Sequence, residues 1–126
     1  MKIKINEVTN HAGVYHVNFS TEYGSAIALW NGNEPEVNKE YFVEVEVPCV
    51  LCWQKDIVVT DEPCVIWLKN NIVHIVAILE SVDDDGYAVL RLGGSIISVM
   101  ARGDSLSVGS KVKLTTNALA LYEVIF

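Results

Sequence analysis

The sequence predicts an all-β protein of about ten short antiparallel strands, folded as a barrel or a sandwich. Short apolar runs rich in β-branched and aromatic residues recur along the chain, which is the composition that strands favour. Turn residues separate these runs about every ten residues. No stretch shows the 3.6-residue period of an amphipathic helix. With 126 residues, 51% of them apolar, the chain is long enough to bury one domain core.

The clearest element is a hairpin followed by a third strand. Asp85-Gly86 is a strong turn signal, because glycine adopts positive φ without steric cost and aspartate tolerates it. The apolar runs Ile75–Leu79 and Tyr87–Leu92 flank this turn and are too short for helices. After Gly93-Gly94 a further strand is predicted over Ile96–Met100.

In the first half, Lys2–Asn6 alternates between charged and apolar residues, so Ile3 and Ile5 should face inward. Strands are also predicted over Val14–Phe19 and Ala26–Trp30. The most regular alternation in the chain covers Glu40–Val47, and Pro48 is expected to end that strand. The remaining apolar segments are read as strands too: Cys49–Trp53, Asp56–Thr60, Cys64–Leu68, Lys111–Leu114 and Leu119–Phe126. A short helix starting near Asn117 is the alternative for the last of them.

The net charge of −7 is unevenly distributed. Residues 1–63 hold four lysines and ten acidic residues, a net charge of −6, whereas residues 64–126 carry −1. This field repels phosphate backbones and attracts basic protein surfaces. We therefore expect a basic protein partner and disfavour nucleic acid.

The two halves show a possible duplication. Residues 3–19 align with 76–92, residues 25–30 with 95–100 and residues 37–43 with 108–114, at offsets of 70 to 73. A constant offset across several elements is typical of a repeat, although any two antiparallel meanders share alternation and glycine turns. We expect one compact unit, with halves 1–63 and 70–126 as the candidate repeats.

Each half has the order strand, strand, strand, loop, strand, strand, which resembles the OB-fold, a small five-stranded Greek-key barrel. The resemblance is carried by the long strand leading to Asp85-Gly86, by the strand over residues 95–100, and by the segment 108–114 before a final apolar strand. It implies ligand binding on the second and third strands. The residues that this resemblance places on the ligand face are Tyr15 or His16, Trp30, Arg91 and Met100.

Cysteine and histidine residues supply a pattern that could hold zinc. Cys49-x-x-Cys52, Cys64 and His74 have the residue types of a Cys₃His zinc site. In an extended segment, however, Cys49 and Cys52 point to opposite faces, and cysteine is often buried. We therefore interpret all four as core residues and expect no cofactor.

The most distinctive surface is the outward face of the strand Glu40–Val47, where Glu40, Phe42, Glu44 and Glu46 alternate with inward valines and Tyr41. An acidic face with an aromatic anchor suits a basic protein partner. The alternative is local pairing, in which Lys2 and Lys4 neutralise Glu44 and Glu46 from an adjacent first strand. Such pairs contribute only about 0.2–1 kcal/mol each.

These observations lead to three function hypotheses and disfavour a fourth. The first is a small protein-binding module, specifically an immunity or antidote protein that masks a basic toxin. The second is an OB-like domain that binds oligonucleotides or oligosaccharides through Tyr15, Trp30 and Arg91. The third is a structural or assembly subunit that pairs through exposed strand edges. We find no catalytic constellation and expect no enzyme. The acidic cluster of Glu80, Asp83, Asp84 and Asp85 would suit calcium but is interpreted as a solvated hairpin tip. With no apolar leader or long apolar span, a cytoplasmic location is expected.

Overall fold

The computed structural model describes residues 1–126 and contains eleven β-strands and no helix. The all-β prediction is therefore confirmed, and the last segment forms a strand instead of a helix. The strands are β1 Lys2–His11, β2 Val14–Thr21, β3 Gly24–Asn31, β4 Glu40–Cys52, β5 Ile57–Val59, β6 Val65–Lys69, β7 Ile72–Val82, β8 Tyr87–Leu92, β9 Ser95–Arg102, β10 Lys111–Thr116 and β11 Ala120–Glu123.

The predicted strand end at Pro48 is wrong. β4 continues through Pro48 to Cys52, where the sequence pattern predicted an end followed by a separate segment. A proline lacks only its own N–H, and the pairing of β4 with β9 is irregular between Glu46 and Val50. The strand therefore crosses the proline by a local shift of register.

Eight strands close into a ring by hydrogen bonding, in the order β1, β2, β3, β6, β7, β8, β9 and β4. The strands β5, β10 and β11 lie outside this ring. The shortest pairing in the ring is the parallel one between β3 and β6, which consists of the single residue pair Gly24 and Ile66. The closed barrel agrees with the OB-like resemblance in its general form.

The last strand completes a smaller ring in the first half. β11 lies between β3, to which it runs parallel, and β4, to which it runs antiparallel. Because β1 pairs with both β2 and β4, the strands β1, β2, β3, β11 and β4 form a five-stranded circuit. A strand from the end of the chain thus closes the barrel that the first fifty residues begin.

The second half is completed in the converse way. Residues 50–52 at the end of β4 pair in parallel with β9, and β5 pairs with β10. The register sets Leu51 opposite Ala101, and in the first half Leu121 opposite Trp30. The first half therefore receives β11 from the second half, and the second half receives the end of β4 and β5 from the first. The sequence pattern did not predict this exchange.

Several local features occur in both halves. The backbone N–H of Ile5 donates to Lys39 O at 3.1 Å, and that of Leu79 donates to Ser110 O at 2.9 Å. Each strand carries a register shift just after that residue. Equivalent residues of the two halves are 74 positions apart in β1 and 71 positions apart in the next three strands. These offsets differ by at most two residues from the offsets of 70 to 73 in the sequence alignment. Duplication itself stays a prediction.

The interior is one continuous cluster of 29 buried residues drawn from both halves. Every second side chain of a strand points into this cluster. Examples are Ile3 and Ile5 in β1 and Leu90 and Leu92 in β8. Trp30 lies in this core, where its indole N–H donates to Asn33 O at 2.7 Å. The exchanged strands thus share a single core. No helix is long and apolar enough to cross a membrane.

Gly24 provides a test of the link between β3 and β6. Its φ is +133°, and a Cβ there would overlap the carbonyl oxygen of Ile66. We expect Gly24→Ala to lower the free energy of unfolding by about 3 kcal/mol or more, from strain and overpacking together. Urea unfolding followed by circular dichroism measures the loss.

Gly94→Ala is the matched control, because a Cβ at Gly94 meets no heavy atom within 4 Å. Its effect should stay within about 1 kcal/mol. Equal destabilisation by the two alanines would show that the Gly24–Ile66 contact does not limit the fold.

Candidate docking surface and ligand cleft

The acidic strip, defined here as Glu40, Phe42, Glu44 and Glu46, lies on the outer face of β4, and all four side chains are exposed. The alternating valines and Tyr41 point into the core. Strand alternation alone produces this arrangement, because β4 has one buried face. The predicted docking residues therefore share one surface.

Local neutralisation reaches only one end of this strip. β1 and β4 are neighbours, as the alternative required, but the register sets Lys2 opposite Phe42 and Lys4 opposite Glu40. Lys2 Nζ lies 2.9 Å from Glu40 Oε2. β1 does not extend along β4 as far as Glu44 and Glu46, so the predicted pairing of the lysines with these two residues is wrong.

Glu44 and Glu46 have no salt bridge. On one side β4 pairs with β11, which sets Tyr122 opposite Glu44. On the other side β9 sets Ser98 opposite Glu46. The charge of Glu46 raises the pKa of the Tyr122 phenol above its ordinary value, as an uncompensated carboxylate should. Burial lowers the pKa of the nearby Met1 ammonium and the charge of Glu44 opposes that shift, so Glu46 alone has no cation of this chain beside it.

Phe42 is the aromatic centre of the strip. Its side chain is 49% exposed, and the ring of Phe126 meets it edge-on at 5.5 Å between centroids. The Val124 N–H donates to Phe42 O at 2.9 Å, which holds the segment after β11 beside β4. An exposed aromatic pair next to two unpaired carboxylates is the composition of a protein-binding surface.

A separate cleft of about 470 Å³ lies on the outer face of β1, β2 and β3. Ile27, Leu29 and the loop residues Ala118 and Leu119 form much of its apolar part. The polar side chains come mainly from the first hairpin and the loop before β11: Glu7, Thr9, His11, His16, Asn18 and Asn117. Its volume suits a small ligand.

The polar groups of the cleft are hydrogen-bonding groups with little charge. The His11 and His16 rings pack edge-on with centroids 5.4 Å apart, and Asn18 Nδ2 donates to Glu7 Oε2 at 3.5 Å. No lysine or arginine lines the cleft. The lone carboxylate disfavours phosphate, whereas amides and imidazoles can both donate to and accept from hydroxyl groups.

The predicted ligand face is only partly formed. His16 is exposed and lies in the cleft, but Trp30 is buried in the core and cannot stack on a ligand. Tyr15 is half-buried and packs against the core, and Arg91 lies on β8 with its Nε 3.4 Å from Glu80 Oε1. The proposed set of Tyr15, Trp30 and Arg91 therefore does not converge.

The cysteines and His74 are not all core residues as predicted. Cys49 is exposed, Cys52 is half-buried with its sulfur 3.3 Å from Arg102 Nε, and only Cys64 packs against the core. No group of three or more histidine, cysteine, aspartate or glutamate side chains is arranged to hold a metal.

His74 lies on the outer face of β7, stacked on Trp67 at 4.7 Å between ring centroids. Burial lowers the pKa of His74, and nearby Lys113 lowers it further. His74 is therefore not the core residue that was predicted, and its buried Nδ1 atom has no hydrogen-bond partner. Lys113 also lies over the Trp67 ring and forms a salt bridge with Glu62 at 2.9 Å, so this cluster satisfies its own charges.

The fold and its surfaces define a small acidic all-β barrel with an open acidic strip and, on the outer face of β1, β2 and β3, a ligand-sized cleft. Comparison with known protein families, with curated proteins and with solved structures found no match to this chain. The acidic strip and the cleft are therefore the features from which the function is inferred.

Sequence reasoning missed most of the cleft. The loop residues Asn117 and Ala118 contribute to it because β11 inserts beside β3, a pairing that no local pattern encodes. His11 and His16 carried the available signal, since both flank the hairpin turn at Ala12-Gly13. A histidine on each strand of one hairpin could have been recognised as a shared face.

Proposed function

We propose that this protein is a binding module that docks a basic protein partner on the acidic strip. The observation that carries the proposal is that β1 ends before Glu44 and Glu46, which leaves both carboxylates beside exposed Phe42 without a salt bridge. A partner that supplies lysine or arginine there gains charge pairing, and Phe42 supplies apolar contact area.

The specific form of the proposal is an immunity or antidote protein that masks a basic toxin. The negative field of the first half, with a net charge of −6 over residues 1–63, supports it by steering a basic partner to the barrel. Strong electrostatic steering raises association rates, which suits rapid neutralisation of a toxin. The rigid strand that carries the strip keeps the ordering cost of binding low.

The first test compares two baits in affinity capture from the native host. The test bait carries Phe42→Ala, Glu44→Gln and Glu46→Gln, and the wild-type bait should retain a basic protein that this variant loses. With the captured partner purified, Phe42→Ala alone should weaken Kd about tenfold or more, because exposed aromatic anchors dominate such interfaces. Raising salt should weaken binding mainly through the association rate.

The control bait also removes one apolar side chain and two carboxylates, but at exposed positions outside the strip. Its substitutions are Val37→Ala, Glu34→Gln and Asp84→Asn. It should bind the partner as the wild type does. If both triple variants lose the partner equally, or if no protein distinguishes the wild-type bait from the strip variant, the strip is not the docking site.

A second candidate function is recognition of a saccharide in the cleft. The cleft lies between the β1–β2 hairpin and the loop before β11, on the face where the OB-like resemblance places ligands. Its polar side chains lack lysine and arginine, which favours an uncharged oligosaccharide over an oligonucleotide. The three tryptophans lie outside the cleft, so their fluorescence is a poor reporter of this binding.

Titration of the ¹⁵N-labelled protein with neutral mono- and disaccharides tests this candidate by NMR. A saccharide that binds should shift the amide signals of residues 7–18, 27–29 and 117–119, while a ten-nucleotide oligo(dT) should shift none. The double variant His16→Ala, Asn18→Ala should weaken the saccharide at least tenfold, because it removes hydrogen-bonding groups from the cleft.

Asn33→Ala is the matched control, since Asn33 is exposed and lies outside the cleft. It should leave the titration unchanged. Shifts caused by oligo(dT), or no shift with any saccharide of the panel, would contradict saccharide recognition.

A further inference from the structure

A second exposed surface adjoins the acidic strip on β8, β9 and the end of β4. It contains four apolar side chains, Val50, Tyr87, Ile96 and Met100, which are 39% to 60% exposed and are called the apolar patch here. The strand registers set Met100 directly opposite both Tyr87 and Val50. Contiguous exposed apolar residues of this kind mark interaction sites in folded proteins.

The patch and the strip meet without a gap. The pairing of Val45 with Ile97 sets the outward neighbours Glu44 and Ile96 side by side. A shallow cavity of about 400 Å³ lies at this junction, where β1 leaves β4 and β9 begins, and Glu44, Ile96 and Tyr87 all line it. One face of the barrel therefore carries negative charge that passes directly into apolar surface.

Exposed carboxylates dominate the charge at the junction. Glu44 and Glu46 form no salt bridge, and the cations of this chain that lie nearest are the Met1 ammonium beside Glu44 and Arg91, which is already in a salt bridge. Arg102 is exposed at the far end of β9, away from the junction. A second copy docked through a twofold axis at the junction would bring the carboxylates together at a cost, whereas a basic molecule supplies complementary charge there.

We propose that the acidic strip and the apolar patch form one continuous interface for a basic amphipathic segment of another protein. Apolar side chains of that segment would cover Met100, Tyr87 and Ile96, and its lysine or arginine side chains would pair with Glu44 and Glu46. This inference rests on the docking function proposed above and specifies the chemistry of the partner.

Model peptides serve as probes. The first is an 18-residue peptide of lysine and leucine with one apolar face, and the second replaces each leucine with serine at the same charge. Fluorescence anisotropy at moderate salt should show the leucine peptide binding at least tenfold more tightly. The double variant Ile96→Ser, Met100→Ser should remove that difference, since it deletes apolar area without adding charge.

The control variant Val59→Ser, Val108→Ser removes two exposed apolar side chains elsewhere and should bind as the wild type does. If both peptides bind equally, and Glu44→Gln with Glu46→Gln abolishes binding, the patch has no role while acidic docking stands. If neither peptide binds, both the patch and the strip fail as a site for basic segments.

Self-association is the remaining outcome. Sedimentation equilibrium at high protein concentration should show a monomer. A dimer that Ile96→Ser, Met100→Ser dissociates would assign the patch to a second copy and overturn the proposal.

Discussion

The insertion of β11 between β3 and β4 is the constraint on which the rest of this structure depends. Its residues hydrogen-bond to strands on both sides, and Leu121 is fully buried. Without β11, the parallel edge of β3 and the antiparallel edge of β4 would expose unpaired backbone groups, which are costly when buried and adhesive when exposed. The first half of the chain therefore cannot close its barrel until the last strand is in place.

The exchange of strands also determines which surface stays open. β4 pairs on one side with β11 and on the other first with β1 and then with β9. The change of neighbour from β1 to β9 replaces the lysines opposite β4 with uncharged residues, so Glu44 and Glu46 form no salt bridge. The unneutralised charge and the adjoining apolar patch thus have one structural origin. The proposed docking function follows from the same exchange that stabilises the fold.

The local pattern of apolar and polar residues was sufficient to predict where the strands lie. It was insufficient to predict which strands pair with one another. Alternation from Glu40 to Val47 predicted which side chains of β4 face outward, and Asp85-Gly86 marked a real hairpin, with Gly86 at a φ of +93°. The same reasoning failed at Trp30, because an aromatic residue at a strand end fits a ligand face and a core equally well. The register of β1 on β4 and the insertion of β11 link residues far apart in sequence. They are decided by packing of the whole barrel, which no local period encodes.

Hydrogen exchange of the native protein, followed residue by residue by NMR, tests this account most directly. Because β11 completes one cooperative core, the amides of residues 120–123 that bond to β3 and β4 should exchange as slowly as the interior amides of β3 and β8. Exchange in residues 120–123 that is orders of magnitude faster, with β1, β2 and β3 still protected, would contradict it. The first half would then close without the strand that we place at its centre.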